Sequence, residues 1–227
     1  RPKIPETTPK PVRFVLDTHH HSDHAYGNRV WADAGATILA HAGVIDEMNA
    51  SEPGAWNWTA RSREDVRAST LEKPSLLFAR DFVIDDGAMR VELHWFGFAH
   101  TKGDTWTWLP QQKILFTGDA CVNGAFNYLA NAHVGDWIKA LEAAKQLGAT
   151  TICPGHGPIG GPELLVDQQQ FFVELMRRVQ ILRTTGKSPA EAKAAVPVMI
   201  EEMNKISNIS RYVGGGLEGQ PAERLAP

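Results

Sequence analysis

A chain of 227 residues, 43% hydrophobic and with a formal charge of −3, can bury one sizeable core, and one domain is the default. No basic run offers a footprint for nucleic acid, and no apolar stretch approaches the ~20 residues of a membrane span. Cys121 and Cys153 are the only cysteines, which rules out a disulfide scaffold but leaves open two thiols or one bridge. The chain begins at Arg1 with neither an initiator Met nor a signal peptide, and no compartment is assigned.

Four prolines (Pro2, Pro5, Pro9 and Pro11) predict an extended arm over residues 1–11. Val12 to Leu16 reads as a short buried strand. Ala25 to Ala34 is expected to be helical, with Gly35 as its stop, followed by a strand over Ala36 to Ala40. A second helix is expected over Gly43 to Asn49. Ser51 to Pro74 mixes Trp56, Trp58, prolines and charges without a clear period, and predicts an excursion or lid with a helix at Arg61 to Leu71.

Phe82 to Ile84 and Met89 to Phe98 predict strands joined by an Asp85-Asp86-Gly87 turn. Thr105 to Leu109 alternates, with Trp106 and Trp108 on one face, and Lys113 to Thr117 reads as a buried strand. Asp136 to Leu147 is an amphipathic helix with Asp136 as its cap, and Thr150 to Cys153 is a strand. Pro162 to Thr184 predicts a long helix. Ser188-Pro189-Ala190-Glu191 is a helix start, and Val198 to Ser207 is helical. The domain is expected over residues 12–213, with a polar tail over 214–227.

The chemistry concentrates in Leu16-Asp17-Thr18-His19-His20-His21-Ser22-Asp23-His24. His19 and His21 lie just past a strand end, where an i, i+2 spacing points both imidazoles the same way, while Asp23 and His24 follow after a turn. Imidazole nitrogen and carboxylate oxygen are the donors zinc takes when its site must stay open for water. A tag remnant does not explain the run, because a tag does not follow a Val-Arg-Phe-Val-Leu strand or end in Ser-Asp-His.

This H-x-H-x-D-H run resembles the metal signature of the metallo-β-lactamase-fold hydrolases. Three further motifs follow in that family's order: Ala99-His100-Thr101-Lys102-Gly103-Asp104, Phe116-Thr117-Gly118-Asp119 and Pro154-Gly155-His156-Gly157-Pro158. The resemblance covers roughly Val12 to Gln180 and implies an α/β fold, the αββα sandwich. It also implies two Zn2+ ions per chain, with Fe or Mn as chemical alternatives. By that resemblance His19, His21 and His100 hold the first ion, Asp23, His24 and His156 the second, and Asp119 bridges them. A metal-bound hydroxide would then attack the carbonyl of a small lactone, ester, thioester or β-lactam, with Asp23 as a catalytic proton carrier.

Tyr128 and His133 fall in the segment where family members contact substrate, beside Asn127. Asp104 is expected either to orient a ligand imidazole or to cap its own turn. Cys121 is expected near the metals without binding them, His20 is expected to face away from them, and His41 and His94 are read as structural or surface histidines. The competing class is an iron-dependent oxidoreductase of the thiol dioxygenase kind on the same scaffold. A nuclease is disfavoured by the charge. No nucleic acid or membrane partner is expected. In the family, several strands and a helix precede the first metal motif, whereas here only Arg1 to Thr18 do. The resemblance therefore implies a sandwich lacking much of its N-terminal half, completed by a separate chain or fragment or by a homo-oligomer.

Overall fold

The computed structural model describes residues 8–214, so most of the 1–11 arm and of the 214–227 tail lies outside the described residues. Two sheets face each other with helices on the outside of each, the αββα order. The smaller is parallel, ordered β1 (Phe14–Asp17), β2 (Thr37–His41), β3 (Leu76–Phe78). The larger runs β4 (Asp81–Asp85), β5 (Arg90–His94), β6 (Trp106–Leu109), β7 (Ile114–Gly118), β8 (Thr151–Pro154). It is antiparallel as far as β7, which pairs with β8 in parallel. Parallel neighbours need a long crossover. Two short helices, α1 (Ser22–Ala25) and α2 (Asn28–Asp33), provide it between β1 and β2, followed after β2 by α3 (Ala42–Ser51).

Side-chain alternation sorts the larger sheet into two faces. Trp106, Trp108, Leu115 and Ile152 point to the helical side. There they pack on α6 (Val134–Lys145), the β7–β8 crossover, and on α7 (Glu163–Thr184), through Trp137, Leu141, Phe171 and Phe172. Met203 from α8 (Pro189–Asn204) and Tyr212 close this core. On the opposite face Leu93 meets Leu39 and Phe78 of the smaller sheet. A third cluster, Ala25, Ala40, Val44 and Met48, lies beneath α3.

The row across that inner face runs Phe82, Leu93, Thr107, Phe116, Cys153 by register. Its middle is closed, with Leu93 at 0% exposure, but Phe116 on β7 is 41% exposed. The smaller sheet covers β4 and β5 and leaves the β7 end of the row open. Phe14, on the edge strand β1, is exposed as well.

Several boundaries differ from the sequence reading. The expected helix over Ala25 to Ala34 is two pieces, broken at Tyr26-Gly27. Tyr26 keeps a helical backbone, its N–H donating to Ser22 O, while its hydroxyl donates to Glu52 Oε1 at 2.5 Å and its ring packs on Trp56 at 4.7 Å. The helix expected over Arg61 to Leu71 is only α5 (Glu64–Arg67), preceded by α4 (Gly54–Thr59). Trp56 is buried by α4, while Trp58 stays in solvent. Ser188 and Glu191 form the capping box expected of their spacing, and α8 then continues through Pro197 as one helix instead of restarting at Val198. Asp136 does not cap α6. His133 does, its side chain accepting from the Asp136 backbone N–H.

Candidate metal centre

The metal motif emerges where strands end. His19 and His21 follow β1, Asp23 and His24 lie in α1, His100 sits between β5 and β6, Asp119 follows β7 and His156 follows β8. The sheets are tied together beside this point by Thr105 N–H donating to Thr18 O at 2.8 Å. The approach of β7 to β8 also depends on a missing side chain. A Cβ on Gly155 would lie 2.1 Å from Asp119 Oδ1, so only glycine lets the His156 loop pass the Asp119 carboxylate.

Seven side chains converge in two groups: His19, His21, His100 and Asp119, then Asp23, His24 and His156. Within each group the donor atoms lie within 4.8 Å of one another, close enough to hold a metal ion. His21 Nδ1 stands 3.1 Å from His19 Nε2 and 3.0 Å from His100 Nε2. In the other group His24 Nε2 stands 3.4 Å from His156 Nε2, with Asp23 Oδ2 at 3.3 and 3.2 Å from the two. Donors held about 2 Å from a tetrahedral ion stand about 3.4 Å apart, and both triads approach that spacing. Asp119 joins them. Its Oδ2 is 3.8 and 3.7 Å from the His19 and His100 nitrogens and 3.3 Å from His156 Nε2, while Oδ1 is 3.2 Å from His24 Nε2. Neutral imidazoles with carboxylates suit a borderline cation of the zinc type.

In the first group the outward nitrogens are held as well. His100 Nδ1 donates to the Tyr128 backbone carbonyl at 3.0 Å, and His21 Nε2 donates to Asn131 Oδ1 at 3.1 Å. Thr18 Oγ1 lies 3.1 Å from His19 Nδ1. These bonds fix the tautomers so that the lone pairs point inward. Neither Asn131 nor the Tyr128 carbonyl was legible in the sequence, because backbone acceptors carry no side-chain signature and Asn131 arrives from 110 residues away.

Burial and neighbouring imidazoles drive His19 well below the usual histidine range, and burial drives His100 down to about 3. Both are neutral donors at physiological pH. His24 differs: burial lowers its pKa, but hydrogen bonds to Asp119 and Asp23 outweigh that and hold it near 9. Asp23 is held below the usual carboxylate range, chiefly by its hydrogen bond to His24. Asp119 is also depressed: burial would raise it, but His24 and the other imidazoles prevail.

The remaining candidates fall outside the donor groups. Asp104 takes the turn-capping option, accepting from Thr101 N–H and Thr101 Oγ1, both at 2.8 Å. Its carboxyl is pushed up to about 8 by burial. Cys121 is buried in the helical-side core with its thiol pKa raised by burial, and both cysteines are free. His20 turns to Glu47, His41 caps α3 and stacks on Trp95, and His94 lies against Asp81 and Glu92. Asn28 donates to Asp17 Oδ2 at 2.7 Å, bracing the foot of the metal loop. His133 pairs with Asp136 and is occupied at the start of α6, while Asn127 is buried against Gln168. Tyr128 does reach the site. It lines a groove of about 520 Å3 with His21, Asp23, Asp119, Phe126 and His156.

A profile of the metallo-beta-lactamase superfamily matches residues 2–156. The chain belongs to that superfamily. A metallo-beta-lactamase type 2 from Bacteroides fragilis is 30% identical over 106 residues, 44% of this chain and 43% of that protein. A beta-lactamase-like protein 2 homolog from Caenorhabditis elegans is 35% identical over 60 residues, 26% of this chain and 20% of that one. The chain thus spans less than half the length of the curated relatives it matches. Among solved structures, a metallo-beta-lactamase from Pontibacter korlensis superposes with a TM-score of 0.59 at 23% identity, covering 75% of this chain and 73% of that one. The shared fold is the metallo-beta-lactamase fold, and this superfamily member carries a His/Asp cluster able to bind metal. Among the described residues no helix is long and apolar enough to cross a membrane.

Proposed function

We propose that the chain is a dinuclear zinc hydrolase that opens a small carbonyl substrate, an ester, lactone, thioester or β-lactam. One observation carries this reading: Asp119 reaches both donor groups, so two ions held there would share a carboxylate. Two zinc ions in such a site supply an acidified water, its pKa lowered from 15.7 to about 7, together with Lewis acids for the carbonyl. His19, His21 and His100 would hold the first ion, and Asp23, His24 and His156 the second. Thr18, Asn131 and the Tyr128 carbonyl keep the first three imidazoles in the donating tautomer. Asp23 is the one carboxylate of the set that is half in solvent, which suits it to pass a proton to a departing alkoxide or thiolate. No serine or cysteine nucleophile is required; Cys121 is sealed in the core.

The test is metal analysis of purified protein followed by a panel of lactones, esters, thioesters, β-lactams and phosphodiesters. Two zinc ions per chain with turnover of a carbonyl substrate is the expected result. One iron per chain with oxygen uptake on a thiol would replace this reading with the oxidoreductase, and turnover of phosphodiesters alone would overturn it.

A further inference from the structure

The groove over the donor groups has two aromatic walls that the chemistry above does not use. Phe126 is 48% exposed and Tyr128 50%, both from the stretch between β7 and α6. The Phe126 ring lies on His156 of the second group, 5.4 Å between centroids and 31° between planes. The Tyr128 ring meets His21 of the first group edge-on at 5.5 Å. One aromatic ring therefore stands beside each donor group. Large apolar rings left in water around a polar groove mark a place where a ligand supplies the missing contact.

The Phe126 ring is also held in place. Phe126 N–H donates to Gly124 O at 2.9 Å, closing a tight turn, and Gly124 has φ +141°. A Cβ at Gly124 would lie 2.8 Å from the Phe126 ring, so the ring rests on the bare face of that glycine. The charge of the groove is one-sided. Asp23 and Asp119 are its acidic side chains, and among the described residues no lysine or arginine lines it. Beyond any metal, a substrate carboxylate would find no cation in these walls.

We propose that Phe126, positioned by Gly124, and Tyr128 select substrates with an uncharged aromatic group next to the scissile carbonyl. This rests on the hydrolase reading for its chemistry but not for its binding geometry. With zinc-loaded protein, ethyl benzoate, its 4-carboxylate analogue and ethyl acetate are compared. Ethyl benzoate is expected to be the best of the three. Phe126→Ala raises its KM about tenfold with kcat within about twofold, and Phe126→Tyr restores it, since any six-membered ring supplies the stacking face. Gly124→Ala reproduces the KM rise by displacing the ring. Equal kcat/KM for the charged and uncharged benzoates, or an unaltered KM in Phe126→Ala, overturns the proposal.

A second measurement is independent of turnover: saturation-transfer NMR with N-methylbenzamide, which is not cleaved. If zinc-loaded protein hydrolyses none of these esters, the ester branch of the hydrolase reading fails, and the NMR still decides the aromatic seat. A signal lost in Phe126→Ala supports it. No signal, or one that survives the substitution, overturns it.

Discussion

The two donor groups are built from the same residue types and behave differently. His19 and His100 are fully buried and neutral, with their outer nitrogens engaged. Asp23 and His156 are half or one-third open to solvent, and His24 is held protonated by two carboxylates. A cation entering the first group would displace no imidazole proton, whereas one entering the second would have to displace the His24 proton. A preorganised set keeps its geometry without the ion, and an open set is organised by it.

The sharpest way to break that contrast is to remove what joins the groups. Asp119→Ala is expected to abolish binding of a second ion and to lower activity by more than the ~10–100-fold that follows loss of an outer partner. Metal titration with activity measurement checks it. Unchanged stoichiometry and turnover would deny Asp119 its shared position.

Next in size is the pH dependence of loading. At pH 7 the first group is already deprotonated, since His100 sits near 3 and His19 is lower than usual. His24, near 9, must release its proton when a metal arrives. Protons are displaced on binding below that pKa, so affinity there rises with pH and falls in acid. Between pH 7 and 8.5 the weaker of two zinc sites should tighten about tenfold per pH unit, while the tighter stays flat. Calorimetry in buffers of different ionisation heat counts the protons. One proton released with the first ion and none with the second would reverse the assignment.

Smaller again is the effect of an outer partner. Asn131→Ala frees His21 Nε2 and is expected to weaken the first ion about tenfold without changing the second. Competition against a chelator reads both. Equal weakening of the two ions would mean that Asn131 acts through the loop and not through His21.

What the sequence disclosed follows the same division. Donors spaced within a few residues, His19 to His24, are legible because strand and turn geometry fixes their directions locally. His100, Asp119 and His156 are legible through the resemblance of their short motifs to those of the metallo-β-lactamase family. Asn131, the Tyr128 carbonyl and Phe126 are not, since they act through tertiary placement. The break at Tyr26-Gly27 had a local signal, because glycine has the lowest helix propensity short of proline. Residue 197 shows the converse. A proline argues for a helix end, yet α8 runs through it, with Met203 beyond it anchored in the core.

His133 supplies the smallest expected effect and the cleanest control. Its position after Asp119 in the chain made it a candidate for substrate contact, but its Nδ1 faces Asp136, 3.3 Å from the backbone N and 2.8 Å from Oδ2. A residue engaged at a helix start contributes to stability and not to the groove. His133→Ala should therefore cost about 1 kcal/mol, as loss of a side-chain cap does, and leave both metals bound. Because α6 is the crossover that holds β7 against β8, a larger loss would propagate to Asp119 and His156 together. Denaturant unfolding beside metal titration separates the cases: a modest stability loss with full metal content fits the cap, while a raised KM at unchanged stability would return His133 to the substrate.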